Sequence, residues 1–259
     1  MRGLIFISIL SVSLLMGCEK EVVQDTPDTF VEDCEGLKLD SSLVQFDPNY
    51  TRLVAGSDRN EFFDVTNSNI ELCRLDQGLG REFFPALYLP NYSPISNFQY
   101  ADDMRVIVIY DEGETKVYPY SLLSQHEIIN ELVIDEPVVV IFCELAEFAA
   151  VYTRRYCEQV FTFAPSGFTY NHPAYWDGLQ GILMWDRETE SLWWPLSDKG
   201  MSGLMQDVYM KKAPFQYWDD LTWGEVKKRY PDAVSLIPKQ LPSHPSNLPK
   251  YNDDDLICK

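Results

Sequence analysis

The segment Pro137-Val138-Val139-Val140-Ile141-Phe142-Cys143 constrains the fold most. Successive side chains of a strand point to opposite faces. Here both faces are apolar, so the segment must be covered on both sides, as a central strand is. Shorter runs surround it. Arg105–Tyr110 (RVIVIY) and Lys116–Tyr118 flank the turn chemistry Asp111-Glu112-Gly113-Glu114 and predict a hairpin that Pro119 ends. Ala149–Tyr156 reads as the next strand. Gly181–Trp185 and Ser191–Trp194 flank Asp186–Glu190 and predict a second hairpin. Val160–Phe163 and Phe168–Tyr170 lie either side of Pro165-Ser166-Gly167, which reads as a turn. Leu53–Ala55 and Val208–Met210 are further short strands. Helical signals are few. Tyr120–Glu131, with apolar residues at 122, 123, 128 and 129, reads as one short helix or two turns. Thr222–Tyr230 opens on Thr222 with Glu225 three residues on, the capping-box spacing, and stops at Pro231. Short strands at close spacing with few helices predict a mainly-β domain, barrel- or sandwich-like, built of antiparallel hairpins with a few short helices. A hydrophobic fraction of 46% suffices for one core, and residues 36–240 are assigned to a single globular domain.

The ends of the chain differ in kind. Leu4–Met16 is thirteen uncharged, mostly apolar residues after Met1-Arg2. That is too short for a stable membrane span and suits a signal peptide over residues 1–17. Leu15-Met16-Gly17-Cys18 resembles the lipobox of bacterial lipoproteins, which implies lipidation at Cys18 and a membrane anchor that does not span. The expected location is the bacterial cell envelope. Residues 18–35 read as an acidic tether, with seven acids and one base between Glu19 and Glu35. Residues 241–259 form a Pro-rich acidic tail carrying Asp253-Asp254-Asp255, expected to be extended. With 40 acids against 21 bases and a net charge of −19, nothing here neutralises phosphates in bulk, so nucleic acid is not an expected partner. Beyond Cys18 five cysteines remain, at 34, 73, 143, 157 and 258. The odd count leaves at least one unpaired within the chain. Chain ends are often close, which suggests a Cys34–Cys258 bond.

Several stretches in shared order resemble one family, the uncharacterised prokaryotic proteins called domain of unknown function 3179. They are Phe84-Pro85-Ala86-Leu87; Val117-Tyr118-Pro119-Tyr120 with Leu123 and His126-Glu127-Ile128-Ile129-Asn130; the strand Pro137–Cys143; Phe163 with Ser166-Gly167 and Tyr170-Asn171; Met184–Trp193, containing Asp186-Arg187-Glu188-Thr189; and Thr222-Trp223 with Pro231. The resemblance covers about residues 80–236. It brings no established activity. Family members usually continue the strand cysteine as Cys-Pro-Leu-Cys-Gly, some with selenocysteine, which implies redox work. This chain reads Cys143-Glu144-Leu145-Ala146-Glu147, so Ala146 stands where the second thiol would be and a local dithiol cycle is impossible. About nine residues, including His172, Tyr175 and Trp176, are added between Asn171 and Asp186.

The candidate residues each have two readings. Cys143 is either a thiolate at the end of a central strand or an inert buried thiol, and Glu144 and Glu147 disfavour the thiolate. A hairpin turning around Ala146 sets Cys143 against Ala149 and leaves Cys157 roughly 26 Å along its strand, which argues against a Cys143–Cys157 bond. His126-Glu127-x-x-Asn130 lacks the second His of a zinc-hydrolase motif, so no metal site follows. On a helix, His126 and Asn130 would share a face and either orient a substrate or cap nearby turns. A Ser166–His126–Asp186 triad is the weaker option, because no Gly-x-Ser-x-Gly surrounds Ser166. Asp186 either makes its turn's own hydrogen bonds, with Arg187 pairing to it, or leaves Arg187 to hold an anion. Trp193 and Trp194 point to opposite faces of a strand; both cover core, or one is exposed to stack on a sugar or partner protein.

Two function classes follow. One is a monothiol redox or thiol-ligating envelope enzyme with Cys143, His126, Glu127 and Asn130 around one pocket. The other, which Ala146 favours, is a lipid-anchored binding module that kept the fold and lost the chemistry, using its Trp-rich face toward an envelope protein or glycan. No cofactor is implied.

Overall fold

The computed structural model describes residues 34, 36, 38–56, 61–111, 113–213, 217–242 and 244–256. The expected leader, Cys18 and all of the acidic tether but Cys34 lie outside the described residues, as does Cys258. Among the described residues no helix is long and apolar enough to cross a membrane.

Strands dominate, in several antiparallel sheets with a sandwich-like arrangement. The first sheet is a meander of β1 (Val44–Asp47), β2 (Tyr50–Val54) and β3 (Phe62–Asp64). Three short strands follow, β4 (Leu75–Gln77), β5 (Leu87–Tyr88) and β6 (Tyr92–Pro94), each joining a different sheet. β7 (Arg105–Asp111) and β8 (Glu114–Pro119) form the expected hairpin. The short helix α1 (Tyr120–Leu123) then leads into β9 (Ile128–Val133), β10 (Glu136–Cys143) and β11 (Phe148–Thr153), an antiparallel trio to which β5 adds parallel along β9. A small ribbon, β12 (Arg155–Tyr156) with β13 (Gln159–Val160), precedes β14 (Phe163–Tyr170), β15 (Gly181–Asp186), β16 (Leu192–Trp194) and β17 (Lys199–Gly200). These four make a five-stranded sheet with β4 at its edge. β18 (Trp218–Thr222), helix α2 (Trp223–Arg229) and β19 (Val234–Leu236) close the chain's regular structure, with β18 and β19 flanking the β7–β8 hairpin.

β10 is central, and its alternation divides the core. Val139, Ile141 and Cys143 join one buried cluster with Phe163, Trp185, Trp193 and Trp194. Val138, Val140 and Phe142 join a second with Ile107, Tyr118 and Leu123. Each such side chain contributes about 1.5–3 kcal/mol when buried, which is why a strand this apolar sits between two layers. A third cluster packs α2 through Trp223 and Val226 onto β7 and β8. The capping box at α2 is present, Thr222 accepting from the Glu225 N–H while the Glu225 carboxylate accepts from the Thr222 N–H.

Four features differ from the expectations. The helical reading of Tyr120–Glu131 holds only to Leu123; Ile128–Val133 is strand, because pairing with β10 and β5 buries Ile128, Ile129 and Val133, an outcome local propensity does not register. Pro165-Ser166-Gly167 is not a turn. It is a bulge inside the continuous strand β14, with the register against β15 shifting between Pro165 and Thr169. Val208–Met210 forms no strand; Tyr209 makes one bridge to Lys199. Cys34 pairs with Cys73, their Cα atoms 5.7 Å apart, and not with Cys258, since the turn at Leu72–Arg74 brings Cys73 beside it. Cys157 is also disulfide-bonded. The C-terminal segment crosses the body, where Tyr251 packs edge-on against Phe161 and the Lys250 ammonium donates to the Arg187 carbonyl at 2.6 Å.

Candidate functional site

Most of the chemically suggestive residues are tied into the fold. Buried His126 lies in the turn after α1, and its Nδ1 hydrogen-bonds the Pro85 carbonyl at 2.8 Å, joining the Phe84–Leu87 stretch to that turn. Burial holds its imidazole below the ordinary histidine value. Asn130 lies on β9, not on a helix with His126. Its Oδ1 accepts from the Phe163 N–H at 2.8 Å, and its Nδ2 donates to the carbonyls of Phe163 and Leu87 at 2.9 and 3.2 Å. One side chain thus joins β14, β9 and β5. Ser166 donates to the Leu183 carbonyl at 2.6 Å and accepts from the Phe168 N–H, pinning the bulge. Asp186 accepts from the Thr189 N–H and hydroxyl and from the Trp193 indole N–H, the last at 2.8 Å. The three triad candidates therefore hydrogen-bond to other partners and not to one another.

Arg187 pairs with Glu82 at 2.6 Å and not with Asp186, and its guanidinium lies 5.2 Å from the Trp185 ring centroid. Trp193 and Trp194 are both fully buried, so neither ring is exposed for stacking. The added segment bears on this: Tyr175 packs edge-on to Trp194, and Trp176 donates its indole N–H to the Leu196 carbonyl at 3.0 Å.

Cys143 ends β10 and is the free cysteine among the described residues. It is 2% exposed. It pairs with Phe148, one residue off the expected register, across a four-residue turn. Burial pushes its thiol up, against backbone hydrogen bonds from Ala146 and Ile182 that pull it down. Nearby Glu127 adds to the rise. Ala146 is itself buried and packs in the same cluster.

A pocket of about 320 Å³ opens beside this turn. Its floor is backbone, from Gly78, Gly80, Pro165 and Gly167. The β14 bulge builds that floor. The Gly167 carbonyl accepts from the Gly78 N–H at 2.8 Å, and the Pro165 carbonyl accepts from the Glu82 N–H at 3.1 Å. Gly167 has φ +84°, and a Cβ there would lie 2.2 Å from the Gly80 carbonyl carbon, so no other residue permits this approach. The rim is apolar and open to solvent, Leu79 63%, Phe83 60% and Leu145 63% exposed. Glu127 and Glu144 supply the charge. Glu127 sits at φ +58°, an uncommon backbone for a residue with a Cβ. Its carboxyl is pushed up to about 7 by burial and then by the negative charge of Glu144. Among the described residues neither carboxylate has a hydrogen-bond or ion-pair partner. The site therefore offers concave apolar surface and an acid that titrates near neutrality, beside a thiol that is covered.

A family model described as protein of unknown function (DUF3179) matches residues 81–252, about two thirds of the chain. The chain belongs to the DUF3179 family. No curated protein and no solved structure matches it. Within the DUF3179 match, the motif residues divide by role: Pro85, His126, Asn130, Ser166 and Asp186 join strands and turns, while Glu127 is left facing the pocket. Sequence reasoning missed the pocket's other half. Gly78-Leu79-Gly80 precedes the DUF3179 match, in a region whose pattern is irregular. The available signal was two glycines bracketing a leucine just ahead of Phe83-Phe84, which is hard to place in a strand or helix. The burial of Glu131, Arg154 and Glu188 was likewise not signalled by spacing. Arg154 donates to the carbonyls of Val138 and Phe161, and Glu131 accepts from the Tyr118 hydroxyl at 3.1 Å.

Proposed function

We propose that this DUF3179 chain is a cell-envelope lipoprotein, anchored through Cys18, whose domain is a non-catalytic binding module derived from a thiol-containing ancestor. The observation that carries the binding reading is the state of Cys143. Its side chain is covered, its thiol is pushed up, and Ala146 occupies the position from which a second thiol could act. A reactive thiol needs access and a lowered pKa, and here both are opposed. The pocket next to it, with an exposed apolar rim and an unpartnered acid, has the character of a ligand site. The anchoring half rests on Leu15-Met16-Gly17-Cys18 behind an apolar leader.

Two measurements test the two halves. Cys18→Ala should release the chain from the membrane fraction or stall its processing; unchanged retention at unchanged mass contradicts the anchor. The folded protein should resist a maleimide at Cys143 until denaturant is added. Rapid labelling of the native thiol, absent in Cys143→Ser, would instead support the monothiol enzyme.

A further inference from the structure

Among the described residues, the pocket beside the β10–β11 turn has no positive charge in its lining. Its lining carries two formal charges, both negative, on Glu127 and Glu144. No Lys, Arg or His lies in that lining, and neither carboxylate is paired among the described residues. The remaining walls are mostly apolar side chains, Phe83, Phe84 and Leu145 among them, and glycines, with the hydroxyl residues Ser124 and Thr169. An anion would be repelled by both acids, and a neutral apolar ligand would cover them without compensation, which is costly for any buried charge. Calcium fits poorly, because it takes six to eight oxygens and this lining offers two carboxylates. We propose that this pocket binds a small organic cation, a primary amine carried on an apolar body, with the ammonium between Glu127 and Glu144 and the body against Phe83, Phe84 and Leu145.

The proposal rests on the binding reading above and sharpens it to a ligand class. It has a built-in pH dependence. The titratable groups near Glu127 are Glu144, Cys143 and the adjacent His126, whose imidazole burial holds below its ordinary value. Cys143 stays protonated through neutrality, since its thiol is pushed up. Glu127, held at about 7, is mostly neutral at pH 6 and mostly charged at pH 8. Amine binding therefore strengthens as pH rises across that interval.

The test is calorimetric titration of the full chain with three probes of one shape: phenethylamine, 2-phenylethanol and phenylacetate. At pH 8 the amine should bind at least tenfold more tightly than either of the others, and several-fold more weakly at pH 6. Glu127→Gln should erase the preference for the amine while 2-phenylethanol binds at least as tightly as before, which shows that the pocket is intact. Equal binding of amine and alcohol, or amine affinity unaffected by Glu127→Gln, overturns the cation while leaving a binding pocket. Calcium chloride binding more tightly than the amine likewise overturns the ligand class. No heat with any of the three organic probes removes both the ligand class and this pocket as the binding site.

Discussion

Asp186 and Glu127 are both acids whose carboxyls are pushed up by burial, yet they have opposite surroundings. Asp186 is fully buried and its carboxylate is saturated, accepting from Thr189 twice and from Trp193. Burial still pushes it up, to about 6, while those donors pull it down. Glu127 has no donor at all among the described residues, and it rises to about 7 through burial and its neighbour Glu144. A buried polar group with all its bonds made holds a hairpin together. A part-buried acid with none made is held at some cost to the fold, and its position in an open-rimmed pocket is where a ligand would recover that cost. The difference separates residues that resemble a catalytic set from Glu127, whose carboxylate has no hydrogen-bond partner among the described residues and lines a pocket.

The largest expected effect comes from breaking the saturated side. Asp186→Ala strands the Trp193 indole N–H inside the core and leaves the part-buried Thr189 N–H unpaired, at about 1–3 kcal/mol each, so urea denaturation should report a loss on the order of 3–5 kcal/mol. That is a large share of a typical total of about 5–15. Gly167→Ala should follow, costing about 2–4 kcal/mol, because its Cβ meets the Gly80 backbone and φ is positive. It should also abolish probe binding, since the bulge seats the pocket floor.

Smaller effects should appear with pH. Glu127 at about 7, Glu188 at about 7 and Asp186 at about 6 are all held above their ordinary values by burial. Between about pH 4 and 7 the folded chain keeps protons that the unfolded chain has released, so this contribution to stability falls as pH rises through that window and levels off above it. His126, lowered by burial, works in the opposite direction as pH rises toward 6.5. Asp102, Asp207 and Glu225 are lowered but fully exposed and therefore screened. The melting temperature should fall between pH 5 and 7.5; a rise would mean that the buried acids are ionised at little cost. Glu127→Gln should have the smallest effect on stability, neutral or slightly favourable at pH 8, and should flatten this slope.

The fold class was legible because it rests on period-2 patterning, and Val138–Phe142 can satisfy both its faces only between two layers. The capping box at Thr222 was legible for the same reason, a local rule with local partners. His126, Asn130 and Ser166 stand out in the sequence, but their partners are the carbonyls of Pro85, Leu87, Phe163 and Leu183. Backbone acceptors leave no mark on a side-chain motif, so hydrogen bonds that hold the fold read as candidates for catalysis. The strand at Ile128–Val133 was hidden by an adjacent helical turn, and its identity is decided by pairing with β10. The pocket was hidden because its floor is made of glycine backbone from Gly78, Gly80 and Gly167, brought together by a bulge that reads as a turn.

The central claim is that Glu127 is a part-buried acid, without a hydrogen-bond partner among the described residues, poised for a cation. Carbon-13 NMR of the chain labelled at the glutamate carboxyl carbon, assigned by difference from Glu127→Gln, measures it directly. The account predicts that Glu127 titrates at about 7 and moves downward when phenethylamine is added. A titration at the ordinary glutamate value of about 4.5, unmoved by the amine, would contradict it.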